Sequence, residues 1–209
     1  FKAGKPDTAE SVLLNAIEKD PNNERIYFNA RIEILLKTNQ AEKAIDILEK
    51  ILDKDPDNTD ILYHLALIYQ RQERQAESER VLRHILDVNP DDAFASNGLG
   101  YYYAEKGIKL VEARRLIENA YRQKPLDWQM LDSMAWLCFR EGRNEQAYYF
   151  ALAAMRSGFH RVVIVHMLDI LVALGRQDEA QSVFNELSRR LPNDPKIIEL
   201  GKRLKLLQQ

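Results

Sequence analysis

Four prolines set the period of this chain. Pro21, Pro56, Pro90 and Pro125 stand 35, 34 and 35 residues apart. Each follows a stretch with helical spacing of apolar residues, where a residue that lacks an N–H and fixes φ ends one unit and begins the next. Phe159 falls 34 residues after Pro125, and Pro192 follows 33 later. The spacing implies six units, the first incomplete.

Within the period the pattern is a helix, a turn near a glycine and a second helix. Gly98, Leu99, Gly100 and Tyr103 lead to Gly107, then to Ala113, Ile117, Ala120 and Pro125. Leu131, Ala135, Cys138, Gly142, Ala147, Ala151 and Ala154 repeat the design. Only 8 Gly and 7 Pro, with 45% hydrophobic and 30% charged residues, fit a helical protein. The expected units span residues 1–23 (partial), 24–58, 59–92, 93–127, 128–161 and 162–195, with a terminal segment at 196–209. Helices are expected at 7–19, 24–37, 41–53 and 196–207. The partner of the helix at 7–19 is absent, so the native chain is expected to extend beyond Phe1. Arg31 and Ser78 stand where small residues are expected, and the boundary at 157–160 lacks the proline. The last helix carries an apolar stripe of Ile197, Leu200, Leu204 and Leu207. It reads as a cover for the open end of the stack, or else as a membrane-surface or partner-binding helix.

Several function classes find no support in these residues. A net charge of -2 favours neither nucleic acid nor an anionic membrane. The charges at Arg71, Arg74, Glu77, Glu79, Arg80 and Arg83 are mixed in sign and read as a solvated face. Cys138 is the single cysteine, so no internal disulfide framework exists, and it is expected to be a buried thiol. His64, His84, His160 and His166 lack metal-ligand spacing and read as solvated or hydrogen-bonded side chains. No nucleophile elbow, phosphate loop or dinucleotide fingerprint is present. The expectation is a non-enzymatic protein with no cofactor, metal, nucleic acid or small-molecule substrate.

These helix-turn-helix units resemble the tetratricopeptide repeat family over nearly the whole chain. The resemblance implies an all-α fold, a right-handed superhelix (α-solenoid) of about five and a half helix pairs plus a C-terminal capping helix. It also implies that the first helix of each unit lines a concave groove. Carried onto this sequence, the groove positions are Phe28, Ile32 and Leu35; Tyr63, Leu67 and Arg71; Asn97, Tyr101 and Glu105; Asp132, Trp136, Phe139 and Arg140; and His166 and Ile170. The partner-binding set expected from them is Phe28, Ile32, Tyr63, Leu67, Arg71, Asn97, Tyr101, Asp132, Trp136, Phe139, Arg140 and His166. Aromatic anchors bury much surface at low entropic cost. Packing between neighbouring units is the alternative role for Tyr101, Tyr102 and Trp136.

The phrases SNGLGYYYAEKGIKLVEARRLIENA and LDSMAWLCFREGRNEQA further resemble bacterial envelope repeat lipoproteins that act as adaptors for a carboxyl-terminal processing protease and its substrates. That likeness implies a periplasmic location, with a lipid tether to the outer membrane on a part preceding Phe1. A structural assembly factor for a pilus or outer-membrane complex is the alternative function, and a cytoplasmic site the alternative location.

Overall fold

The computed structural model describes Val12 and residues 24–206; the expected helix at 7–19 lies outside the described residues but for Val12. The described chain is α-helical and forms two compact units, residues 1–88 and 89–209. In the first, α1 (Glu24–Lys37) pairs with α2 (Ala41–Leu52), and α3 (Thr59–Arg71) with α4 (Gln75–Val88). In the second, the pairs are α5 (Ala93–Lys106) with α6 (Leu110–Gln123), α7 (Trp128–Arg140) with α8 (Asn144–Met155), and α9 (Arg161–Ala173) with α10 (Gln177–Arg190). The last helix of the described residues is α11 (Pro195–Arg203).

Helix starts are set by side chains that satisfy orphan N–H groups. Asn58, Asp92, Asp127 and Asp194 each accept a backbone N–H at the start of a first helix. The turns inside the pairs share one backbone solution. Asn39, Glu73, Gly107, Gly142 and Gly175 all have left-handed φ, between 57° and 76°. Each turn closes with two reciprocal bonds: Gly142 N–H donates to Phe139 O at 3.0 Å and Arg143 N–H to Cys138 O at 2.8 Å, with equivalents at the other four. This is the Schellman arrangement, which glycine enters without strain. Asn39 and Glu73 enter it at a steric cost of about 1 kcal/mol.

Close approach within a pair is possible because small residues face each other. A Cβ built on Gly100 would stand 2.7 Å from Ile117 Cγ1 and 3.1 Å from both Ala113 O and Leu116 Cβ. Ala113, Ala120, Ala147, Ala151 and Ala154 are fully buried on the second helices. In the first unit Leu35, Leu48, Ile68 and Ile85 fill the core, and the Tyr69 hydroxyl donates to Glu49 at 3.1 Å. Truncating one such leucine to alanine costs roughly 2–5 kcal/mol.

The terminal helix repeats the register of a first helix. Asp194 caps it, and Lys205 (φ 56°) with Leu206 closes a sixth Schellman turn. Eight residues after the cap, where earlier first helices carry Ala66, Gly100 and Ala135, it has the exposed Lys202. Ile197, Leu200, Leu204 and Leu206 pack inward with Leu168, Phe184 and Leu187. Ile197, Leu200 and Leu204 of the expected apolar stripe thus face the preceding helix pair. The helix is shorter than expected, ending at Arg203, and Leu207 lies outside the described residues.

Candidate functional site

Each first helix presents a stripe at helical spacing, and the second unit gives this stripe its most specific chemistry. Trp136 lies on α7 with its ring stacked on His166 of α9, centroids 4.2 Å apart and planes at 21°. Phe139 stacks on the same ring with centroids 5.0 Å apart. Tyr101 of α5 lies beside His166, with ring centroids 6.0 Å apart. Trp136, Phe139 and Tyr101 are half-buried.

A buried hydrogen-bonded chain underlies this platform. Asp132 Oδ1 lies 2.9 Å from His166 Nδ1, and both side chains are only 6% exposed. A carboxylate is an acceptor, so Nδ1–H donates to it, which leaves Nε2 of a neutral ring to accept from the Tyr101 hydroxyl at 3.3 Å. Three consecutive first helices are thereby tied through one imidazole. Burial raises the Tyr101 phenol above the ordinary tyrosine range, and the charges of Glu105 and Asp132 push it the same way. Two buried polar atoms near these residues, Asn97 Oδ1 and Trp136 Nε1, have no protein partner.

Several expected site residues play different parts. Ile32, Leu35 and Ile170 belong to the core, and Asp132 and His166 lie beneath the surface rather than on it. The register explains His166 and Ile170. Helix α9 begins at Arg161 after His160, one residue earlier than the 34-residue period places it. Counted from each cap, the fifth and ninth residues are Asn97 and Tyr101, then Asp132 and Trp136, and in this unit Val165 and Asp169. Arg140 is exposed; it donates to the Glu105 carbonyl and lies against Gly107, so it closes the end of α5 while its guanidinium stands 6.0 Å from the Trp136 ring.

In the first unit Phe28 meets His64 edge-on at 6.3 Å, Tyr63 is half-buried, Leu67 is 50% exposed and Arg71 is exposed. The remaining histidines have ordinary partners: His84 Nε2 is 2.8 Å from Asp57 Oδ1, and His160 stacks on Trp128 at 3.9 Å. Cys138 is buried, and burial raises its thiol pKa. Among the described residues no group of three His, Cys, Asp or Glu side chains could hold a metal ion, and no helix is long and apolar enough to cross a membrane.

The family model for the tetratricopeptide repeat matches residues 1–53 and 35–97. Tetratricopeptide repeats are thus matched over residues 1–97. It is 30% identical over 167 residues to the TPR repeat-containing protein PA4667 of Pseudomonas aeruginosa, a match that covers 80% of this chain and 28% of that relative. The chain thus spans little more than a quarter of that protein's length. Among solved structures, a tetratricopeptide repeat protein from Parabacteroides merdae is similar at TM-score 0.71 and 22% identity, covering 98% of this chain and 78% of the other. PilW, described as a widely conserved type IV pilus biogenesis factor, is similar at TM-score 0.70 and 19% identity, covering 95% and 92%. At these identities the likeness speaks to the all-α solenoid fold.

Proposed function

We propose that this chain is a non-enzymatic adaptor that holds polypeptide segments of partner proteins on the inner stripe of its first helices. The observation that carries this reading is the platform of Tyr101, Trp136 and Phe139. Its residues are half-buried and packed on the Asp132–His166–Tyr101 chain. Preorganised aromatics lose little entropy on binding, which is what an anchor site needs. Phe28, Tyr63, Leu67 and Arg71 are the corresponding contacts proposed on the first unit.

In its narrower form the reading is a bacterial envelope adaptor, lipid-tethered in the periplasm, that recruits or activates a carboxyl-terminal processing protease. Support comes from the two phrases within residues 96–120 and 131–147 that resemble adaptor lipoproteins. Calorimetric titration of the chain with a purified protease of this class tests it. Micromolar or tighter binding is expected; no heat at high micromolar protein would overturn the narrower form.

A second reading, an assembly factor for a pilus or outer-membrane complex, draws on the fold likeness to PilW. It predicts association with pilus or outer-membrane components that is indifferent to substitution of Trp136.

A further inference from the structure

We propose that one edge of the second unit, made by the loops that join its helix pairs, docks on an anionic lipid surface. The proposal goes beyond the scaffold reading and does not use the inner stripe. Three successive loops form this edge, from α6 to α7, α8 to α9 and α10 to α11. Contacts tie them into one surface. The Trp128 ring stacks on His160 with centroids 3.9 Å apart, which joins the first loop to the second. The Arg190 guanidinium lies over the Phe159 ring at 4.8 Å and Arg161 pairs with Asp194 at 3.0 Å, which joins the second to the third.

Charge along this edge is one-sided, although the whole chain sums to -2. The loops with their flanking helical turns are residues 120–131, 152–164 and 186–198. They carry seven lysines and arginines against three carboxylates, an excess of four. The carboxylates are already engaged. Asp194 pairs with Arg161, Glu186 is shared by Arg189 and Arg190, and Asp127 accepts the Gln129 N–H. Arg122, Arg156 and Lys196 are exposed and have no ion-pair partner among the described residues, while Lys124 lies over the Phe94 ring at 4.8 Å. The excess is therefore not cancelled within the edge. The loop before α5 carries Asp87, Asp91 and Asp92 with no cation, so the basic surface begins at α6.

Apolar side chains stand on the loops among these cations. Leu126, between Pro125 and the Asp127 cap, is 89% exposed, and Phe159 is 41% exposed. A folded protein partner would have to supply a pocket for each of them and a placed carboxylate for each cation. A lipid layer meets both needs without matched geometry, because its headgroups supply diffuse negative charge and its acyl boundary an apolar phase. Nucleic acid offers the charge but no apolar phase for Leu126.

The test is co-sedimentation of the intact chain with phosphatidylcholine vesicles, with and without one-third phosphatidylglycerol. Partition onto the anionic vesicles is expected to exceed that onto the neutral ones about tenfold, and to fall with added salt. Leu126→Asp is expected to weaken it about tenfold, and Arg122→Glu combined with Lys124→Glu about twentyfold, with thermal midpoints unchanged. Val111 is 86% exposed at the other end of α6, and Val111→Asp is expected to leave the partition unchanged. Equal partition onto the two vesicles, none onto either, or indifference to both loop variants overturns the proposal. So does binding of polyglutamate that matches the anionic vesicles and survives Leu126→Asp, which assigns the edge to an acidic protein. The scaffold reading fails on a different result, the absence of any Trp136-dependent protein partner.

Discussion

His166 Nδ1 stands 2.9 Å from Asp132 Oδ1 with both side chains almost wholly buried, and the two residues come from different repeats, 34 positions apart. This pair, with Tyr101, fixes the spacing of three first helices. His166→Ala would leave a buried carboxylate without its donor, which costs about 3 kcal/mol. Asp132→Asn keeps the shape and one acceptor, so it should cost about 1 kcal/mol. Urea unfolding of the two single variants and the double variant measures their coupling. Additive losses would show that the pair does not act as a unit.

Gly100 is a point of close approach between α5 and α6. An added methyl would press on Ile117 Cγ1 at 2.7 Å and on the Ala113 carbonyl. The Ile117 side chain can shift but the carbonyl cannot. Gly100→Ala is therefore expected to destabilise the second unit by roughly 1–3 kcal/mol through overpacking, despite alanine's better helix propensity. A thermal midpoint equal to or above that of the parent would refute this account.

The five pair turns separate backbone strain from packing. Gly142 has φ 76° and nothing within 4 Å of a built Cβ, so Gly142→Ala tests conformation alone. A loss of about 1 kcal/mol is expected. Glu73, at φ 58° in the equivalent turn, should give a gain of similar size on replacement by glycine, less the entropy that glycine adds to the unfolded chain. Opposite signs for the two substitutions in denaturant melts are the signature sought.

Sequence alone shows the repeat and most helix ends because they are local chemistry. Prolines mark unit boundaries, and Gly107, Gly142 and Gly175 announce left-handed turns. Asn39 and Glu73 make the same turn without the glycine signal. The inner register slipped by one residue in the sixth unit, where no proline marks the start and His160 takes the place of a capping aspartate. That slip put His166 and Ile170 on the surface instead of Val165 and Asp169. The Asp132–His166–Tyr101 chain was not legible, since a 65-residue separation between Tyr101 and His166 becomes a contact only after stacking.

Alkaline pH should weaken the fold before acid chemistry at these groups matters. Burial raises the Cys138 thiol and the Tyr101 and Tyr69 phenols; for Tyr69 the hydrogen bond to Glu49 adds to it. The folded chain thus holds these protons more tightly than the unfolded chain. Their contribution is whole below the ordinary thiol and phenol values of 9.0 and 10.0, and is lost as pH rises from there through the raised folded values. Urea midpoints should stay level from pH 7 to 8.5 and fall by pH 10.5. Tyr101→Phe combined with Cys138→Ala should flatten that slope. An unchanged slope would assign the alkaline loss to other groups.

Trp136 is where binding and stability can be told apart. Its ring stacks on His166 and Phe139, so truncation to alanine removes packing as well as any partner contact. Trp136→Phe keeps an aromatic face for His166 while shortening the ring system, and should preserve most of the thermal midpoint. If a partner side chain anchors on this ring, the phenylalanine variant should still lose about tenfold in affinity, the size expected for a central aromatic anchor. Arg140→Ala should lose less, because its guanidinium is committed to the Glu105 carbonyl and borders the ring from 6.0 Å. Partner affinity that tracks the melting temperature across Trp136→Phe, Trp136→Ala and His166→Ala would make the platform a packing element. Affinity lost in the phenylalanine variant at constant melting temperature would make it a binding surface.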